Sequence, residues 1–229
     1  MLHPTPARPH GYRGRVGTYA AVVLAGGAAR RMGGADKPAL PVGGRSMRDR
    51  VLAAVADATP RVLVGPADNL PNGVRVTREE PAGGGPVAAT AAGLALLDPD
   101  TTLVALLAAD LPLLTRAAID DLLTHLTAGA GPAAGNLAVP QAGSDLDGVC
   151  FVDADGRRQS LCGVWRVGAL RAGLARLAAE RGGSLDGAPV RALLAGLAIR
   201  EVPWSGEGPP PWFDCDTDED VRRAEEWVR

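Results

Sequence analysis

The chain has 229 residues, a length that suits one α/β domain with room for a small insertion, since domains run to about 150 residues each. Hydrophobic residues make up 46% of it but aromatics only 3%, so alanine, valine, leucine and glycine must do most of the packing, in closely spaced layers. A formal net charge of −2 offers no basic field to neutralise phosphates, which sets aside nucleic acid and membrane surfaces as partners.

Residues 1–18 carry Pro4, Pro6, Pro9 and several arginines, with no acidic residue and no apolar periodicity. They read as a disordered leader before a single domain over 19–229. No apolar run reaches the ~18 residues of a membrane span, and the leader has no secretory h-region, so a cytoplasmic location is expected. Cys150, Cys162 and Cys215 are odd in number and widely spaced, without a C-x-x-C pair, which fits a reducing compartment. His3, His10 and His125 are too scattered to form a metal cluster.

From Tyr19 the pattern alternates between strand and helix. Residues 19–25 form a short apolar run stopped by Gly26 and Gly27, the mark of a buried first strand. A helix is predicted over 46–58, with Val51, Leu52 and Val55 on one face, followed by strands at 61–64 and 74–77. An alanine-rich helix is expected over 87–97, and residues 103–108 form a fully apolar strand leading into Asp110. Residues 149–166 read as a hairpin turned by Asp153 to Gly156. Helices at 167–179 and 190–195, a strand at 198–202 and a proline-rich loop from Pro203 to Trp212 follow. The chain closes with a capping box, Thr217 to Asp220, before a helix whose Val221, Ala224, Trp227 and Val228 share a face.

This order predicts an α/β fold, Rossmann-like with three α/β/α layers, a mostly parallel sheet and an added antiparallel hairpin. In such sheets ligands bind beyond the carboxyl ends of the strands, which draws attention to the loops after Ala25, Val64, Thr77 and Ala108.

The first of those loops carries the strongest chemical signal, Leu24-Ala-Gly-Gly-Ala-Ala-Arg-Arg-Met-Gly-Gly-Ala-Asp-Lys37. Glycines let backbone N–H groups approach phosphate oxygens, and the cationic side chains offset triphosphate charge. Neither G-x-x-x-x-G-K-[ST] nor G-x-G-x-x-G occurs in this stretch, which disfavours a kinase-type P-loop and a dinucleotide site. Asp110 stands at the end of an apolar strand, where a carboxylate can hold Mg²⁺ shared with substrate phosphates; the competing role is a helix cap before Thr115. Asp214, Asp216 and Asp218 alternate and would share a face if extended. Asp218 is better explained as a helix-dipole partner, leaving Asp216, with Asp214 after it, as the candidate second metal ligand. Between these lies Glu79-Glu-Pro-Ala-Gly-Gly-Gly-Pro86, a tight bend whose Glu80 could accept hydrogen bonds from a guanine edge and whose Gly85 and Pro86 would lie against a nucleotide.

Taken in order, these segments resemble the molybdenum cofactor guanylyltransferases, the MobA-like branch of the nucleotidyltransferases, over about residues 20–227. The resemblance implies that Leu24, Ala25, Gly26, Gly27, Lys37, Glu80, Gly85, Pro86 and Asp110 contact GTP, and that Arg31, Lys37 and Asp110 serve catalysis. Asp110, with Asp216, would bind Mg²⁺, or Mn²⁺ in its place. It further implies a molybdopterin-type acceptor and transient contact with molybdoenzyme maturation proteins. The sequence departs from the family's pattern at Gly65, where some relatives carry an asparagine, at Asp218, where a proline is usual, and at Ser160, where a proline is expected after Gln159. Transfer from CTP, transfer to another phosphorylated acceptor such as a phospholactate, sugar or polyol phosphate, and non-catalytic nucleotide binding in cofactor delivery stand as alternatives.

Overall fold

The computed structural model describes residues 18–26, 37–66, 68, 70–128 and 146–229. The leader expected at 1–18 lies outside this set but for Thr18, as do Gly27 and Arg31.

The first strand, β1 (Ala20–Leu24), is buried along its whole length and is flanked on both sides. Its residues alternate between two cores: Ala21 and Val23 enter one, while Ala20, Val22 and Leu24 enter the other. Such two-sided burial is what an unbroken apolar run in a parallel sheet implies. Beside it run β4 (Arg61–Val64) and β6 (Leu103–Ala108), both parallel to it. The strand β5 (Val74–Thr77) adds in parallel to β4.

Beyond β6 the direction reverses. The hairpin of β7 (Gly148–Val152) and β8 (Arg158–Arg166) inserts β8 antiparallel to β6, and β9 (Ile199–Pro203) pairs in parallel with β7. The sheet order is therefore β5-β4-β1-β6-β8-β7-β9. A small hairpin of β2 (Pro41–Val42) and β3 (Arg45–Ser46) stands apart from it. Its turn is Gly43-Gly44, both at positive φ, as a two-residue hairpin demands.

Helices cover both faces. The helices α1 (Met47–Ala54) and α3 (Arg116–Thr127) bury Val51, Leu52, Ile119, Leu122 and Leu126 in the core that takes Val23. On the other face lie α2 (Gly85–Ala95), α4 (Val167–Glu180) and α5 (Val190–Leu193). The predicted three-layer arrangement is thus observed. The helix predicted over 46–58 ends at Ala54: Val55 is its C-cap, and the chain goes on in tighter turns, the Ala56 N–H donating to Ala53 at 3.2 Å and the Ala58 N–H to Val55 at 3.0 Å. Ser46 instead caps it, accepting from the Asp49 N–H at 3.1 Å.

The last helix, α6 (Asp218–Val228), docks on a third, smaller core of Val42, Met47, Leu113, Cys215 and Ala224. Its predicted capping box is present: the Asp220 N–H donates to Thr217 Oγ1 at 3.2 Å, and the Thr217 N–H donates to Asp220 Oδ2 at 2.8 Å. Asp218 opens the first turn, where its charge faces the positive end of the helix dipole. Replacing Thr217 by alanine is expected to cost about 1 kcal/mol. A urea unfolding curve reads that loss, and an unchanged midpoint would show that the cap carries no weight.

Candidate functional site

The strands β1, β4, β5 and β6 all point the same way, so their carboxyl ends share one edge of the sheet. The ladder continues one residue past each strand. The Ala25 N–H donates to the Val64 carbonyl at 2.8 Å, the Gly65 N–H to Thr77 at 2.9 Å, and the Ala109 N–H to Leu24 at 3.0 Å. These bonds fix Ala25, Gly65 and Ala109 in a row with Thr77 beside Gly65; the Glu79 bend departs from Thr77 and the Asp110 turn from Ala109.

At the centre of that edge, Lys37 donates to Asp110 Oδ2 at 2.6 Å and to Asp216 Oδ1 at 2.7 Å. Lys37 begins a short 3₁₀ turn (Lys37–Ala39), Asp110 follows β6, and Asp216 arrives on the segment entering α6. The small third core makes this meeting possible, because it seats Leu113, just after Asp110, against Cys215, just before Asp216. A direct backbone bond, from the Cys215 N–H to the Asp110 carbonyl at 3.3 Å, fixes the two segments together.

The lysine side chain is 18% exposed, the Asp110 side chain 24% and the Asp216 side chain 59%. Burial alone would lower the Lys37 pKa, but the hydrogen bonds from Asp110 and Asp216 outweigh it, so the amine is held above its usual value and stays an ammonium at neutral pH. Burial, helped by the neighbouring Asp216 charge, raises the Asp214 carboxyl. Asp214 and Asp216 lie on the exposed side of Cys215, as their alternation predicts.

The Glu79 bend lies beside β1. A Cβ placed on Gly26 would sit 3.3 Å from Glu79 Oε1, and the same oxygen accepts from the Gly83 N–H at 3.1 Å. Glu79 is therefore the carboxylate against Gly26, whereas Glu80 is exposed. The sequence presents the two as an undivided pair; only the bend after Thr77 separates them. Gly85, at φ 87°, opens α2, with Pro86 in its first turn. In that turn Gly85 is half-buried and Pro86, which has no N–H, is exposed, while Val87 and Ala88 are buried. A turn from another part of the chain supports this one, the Gly187 N–H donating to Gly84 at 2.9 Å.

The hairpin tip reaches the same edge, since β8 pairs with the end of β6 at Leu107 and Cys162, leaving Arg158 to Leu161 beyond it. Asp153 closes the tip by accepting from Gln159 Nε2 at 3.0 Å and from the Arg157 N–H at 2.9 Å. Nearby, Phe151 packs against Trp204 and Trp212, with ring centroids 5.6 and 5.2 Å away.

Residues 21–199 match the family described as the MobA-like NTP transferase domain. The chain belongs to that family. It is 31% identical over 213 residues to a molybdenum cofactor guanylyltransferase of Nitrobacter hamburgensis, covering 89% of this chain and 91% of the relative. A Bradyrhizobium protein of the same name is 32% identical over 212 residues, covering 89% and 90%. Among solved structures it is similar in fold to molybdopterin-guanine dinucleotide biosynthesis protein A of Archaeoglobus fulgidus, with a TM-score of 0.64 and 18% identity over 90% of this chain and 97% of the other. A 2-C-methyl-D-erythritol 4-phosphate cytidylyltransferase of Thermus thermophilus shares the fold at a TM-score of 0.59, with 20% identity over 91% and 98%. The chain is thus a nucleotidyltransferase.

Membership of the MobA-like family implies a divalent cation, and the donor set fits one. Mg²⁺ takes hard oxygen ligands and is held by one or two carboxylates plus substrate phosphates, which Asp110 and Asp216 can provide on one locus. Among the described residues no group of three or more histidine, cysteine or acidic side chains gathers for a metal. The Gly65 departure also has a physical reason. Its φ is 140°, and a Cβ there would stand 2.9 Å from the Ala25 carbonyl carbon, so an asparagine has no room on this backbone.

Proposed function

We propose that the chain is a molybdenum cofactor guanylyltransferase, moving GMP from GTP to the phosphate of Mo-molybdopterin with release of pyrophosphate. The observation that carries this reading is the meeting of Lys37, Asp110 and Asp216 at the carboxyl edge of the sheet. The names of the two curated relatives supply the nucleotide and the acceptor.

In this reading the N–H groups from Leu24 to Gly27 cradle the triphosphate, and the first turn of α2, with Gly85 and Pro86, lies against the nucleoside. The acidic bend of Glu79 and Glu80 accepts the guanine N1–H and N2–H₂; Glu79, already turned toward Gly26, is the nearer of the two. Lys37 and Arg31 neutralise charge that builds on the leaving pyrophosphate. Asp110 and Asp216 would hold Mg²⁺, which when bound supplies Lewis-acid polarisation of the α-phosphoryl group. The acceptor phosphate is already ionised near neutral pH, so its oxygen attacks the α-phosphorus in line without a general base. The α-phosphorus to bridging-oxygen bond breaks and pyrophosphate leaves. Catalysis is then positioning plus charge stabilisation. The hairpin tip with Gln159 and Ser160 borders the acceptor, residues 19–229 act as one catalytic unit, and the enzyme works in the cytoplasm, in transient contact with molybdoenzyme maturation proteins.

Pyrophosphate release from GTP, CTP and ATP, with Mg²⁺ and with or without Mo-molybdopterin, tests the assignment. Release with GTP and the pterin together is expected. Release with CTP instead would move the assignment to cytidylyl transfer, and no release from any nucleotide would sink it.

A further inference from the structure

We propose that Lys37 is a cation latch: in the nucleotide-free enzyme its ammonium holds the place of the divalent metal between Asp110 and Asp216, and it must leave that place before the metal can bind there. The inference rests on the nucleotidyl-transfer reading of the site but not on the choice of base or acceptor.

The geometry that supports it is a shared occupancy. The two carboxylate oxygens converge on one nitrogen, at 2.6 and 2.7 Å. A bare pair of carboxylates this close would repel, and the ammonium removes that repulsion. A divalent ion ligated by the same two carboxylates would compete with the ammonium for the oxygens it already holds. The two cations therefore exclude each other. Lys37 has somewhere else to go, since its flexible four-carbon stem can turn the ammonium to the phosphates of a bound nucleotide. Triphosphate and metal then arrive together: the phosphates draw the lysine away, and the vacated carboxylates accept the metal. A free divalent ion, bringing no anion to receive the lysine, finds the site closed. The latch also keeps Asp216 seated, since its side chain is 59% exposed and hydrogen-bonds to Lys37.

The test measures metal binding without nucleotide. Mn²⁺ is titrated into the full chain at low ionic strength, and free Mn²⁺ is followed by electron paramagnetic resonance. Lys37→Met, which removes the ammonium and keeps the stem, is expected to bind Mn²⁺ about tenfold or more tightly than the wild type. Lys37→Arg keeps a cation and is expected to bind as weakly as the wild type. Adding Asp216→Asn to Lys37→Met should abolish the gain. Equal or weaker binding by Lys37→Met would overturn the proposal. Circular dichroism checks the fold of each variant, and Lys37→Gln carries the same expectation if the methionine variant does not fold. Because no nucleotide is present, a tighter Lys37→Met stands even if the pyrophosphate assay moves the enzyme to another substrate, and a wild-type result sinks the latch while leaving guanylyl transfer intact.

Discussion

Replacing Asp110 by alanine is expected to lower kcat by at least about 10²–10³-fold, because in the proposed mechanism its carboxylate would hold the metal ion beside the reacting phosphates. The fold should survive. The backbone bond from the Cys215 N–H to the Asp110 carbonyl does not involve the side chain, and Lys37 keeps Asp216 as a partner. The side chain is only partly buried, so its removal leaves no core cavity. Pyrophosphate release, paired with a thermal melt, separates the two effects. Metal-dependent turnover near the wild-type rate would remove Asp110 from the mechanism, and a collapsed melt would make the loss of activity uninformative.

The second large effect is expected at Gly93, which is one of the reasons α2 can lie so close to the sheet. A Cβ at this position would overlap Val22 Cγ1 and lie 3.1 Å from Val64 Cγ2, both on fully buried side chains of β1 and β4. Gly93→Leu gains up to about 1 kcal/mol in helix propensity, yet overpacking of a filled core costs about 1–3 kcal/mol or more. The second term wins. To relieve the overlap, α2 must lift from the sheet, carrying its first turn, Gly85 and Pro86, away from the row formed by Ala25 and Gly65. Both a fall in melting temperature of about 5–10 °C and a rise in KM for the nucleotide are expected. An unchanged melting temperature would mean that the helix and the strand do not approach as closely as described.

Much of this architecture was legible in the residues. The unbroken apolar runs ending in Gly26 and in Asp110 gave away two central strands, because a strand covered on both faces has no need to alternate. The Asp153 to Gly156 turn and the Thr217 capping box were equally plain, since each depends on neighbours within four residues. What escaped was short or nonlocal. The strands β2 and β3 have two residues each, too few to show any period. The helix α3 showed in the sequence only as a helix somewhere after Asp110, without bounds, although its buried Ile119, Leu122, Leu123 and Leu126 fall at helical spacing. Among site residues, Lys37, Asp110 and Asp216 could each be picked out, but not their bonding to one another, which depends on how a distant helix docks. Which of two adjacent glutamates faces Gly26 was likewise undecidable, because side-chain direction after Thr77 is set by the turn and not by composition. The roles implied for Gly27 and Arg31 fall outside the described residues.

The way α6 is attached has a consequence for how the molecule loses and regains its working state. Lys37 and Asp216 lie 179 residues apart in the chain, and the helix behind Asp216 has one fully buried side chain, Ala224. Contacts of such long separation close late, after the loops between them have been ordered, and sparsely buried terminal units open first. We therefore expect a partly opened species in which the seven-stranded sheet persists while the carboxylate pair is broken. In mild denaturant such a species would be folded by most spectroscopic measures and yet inactive.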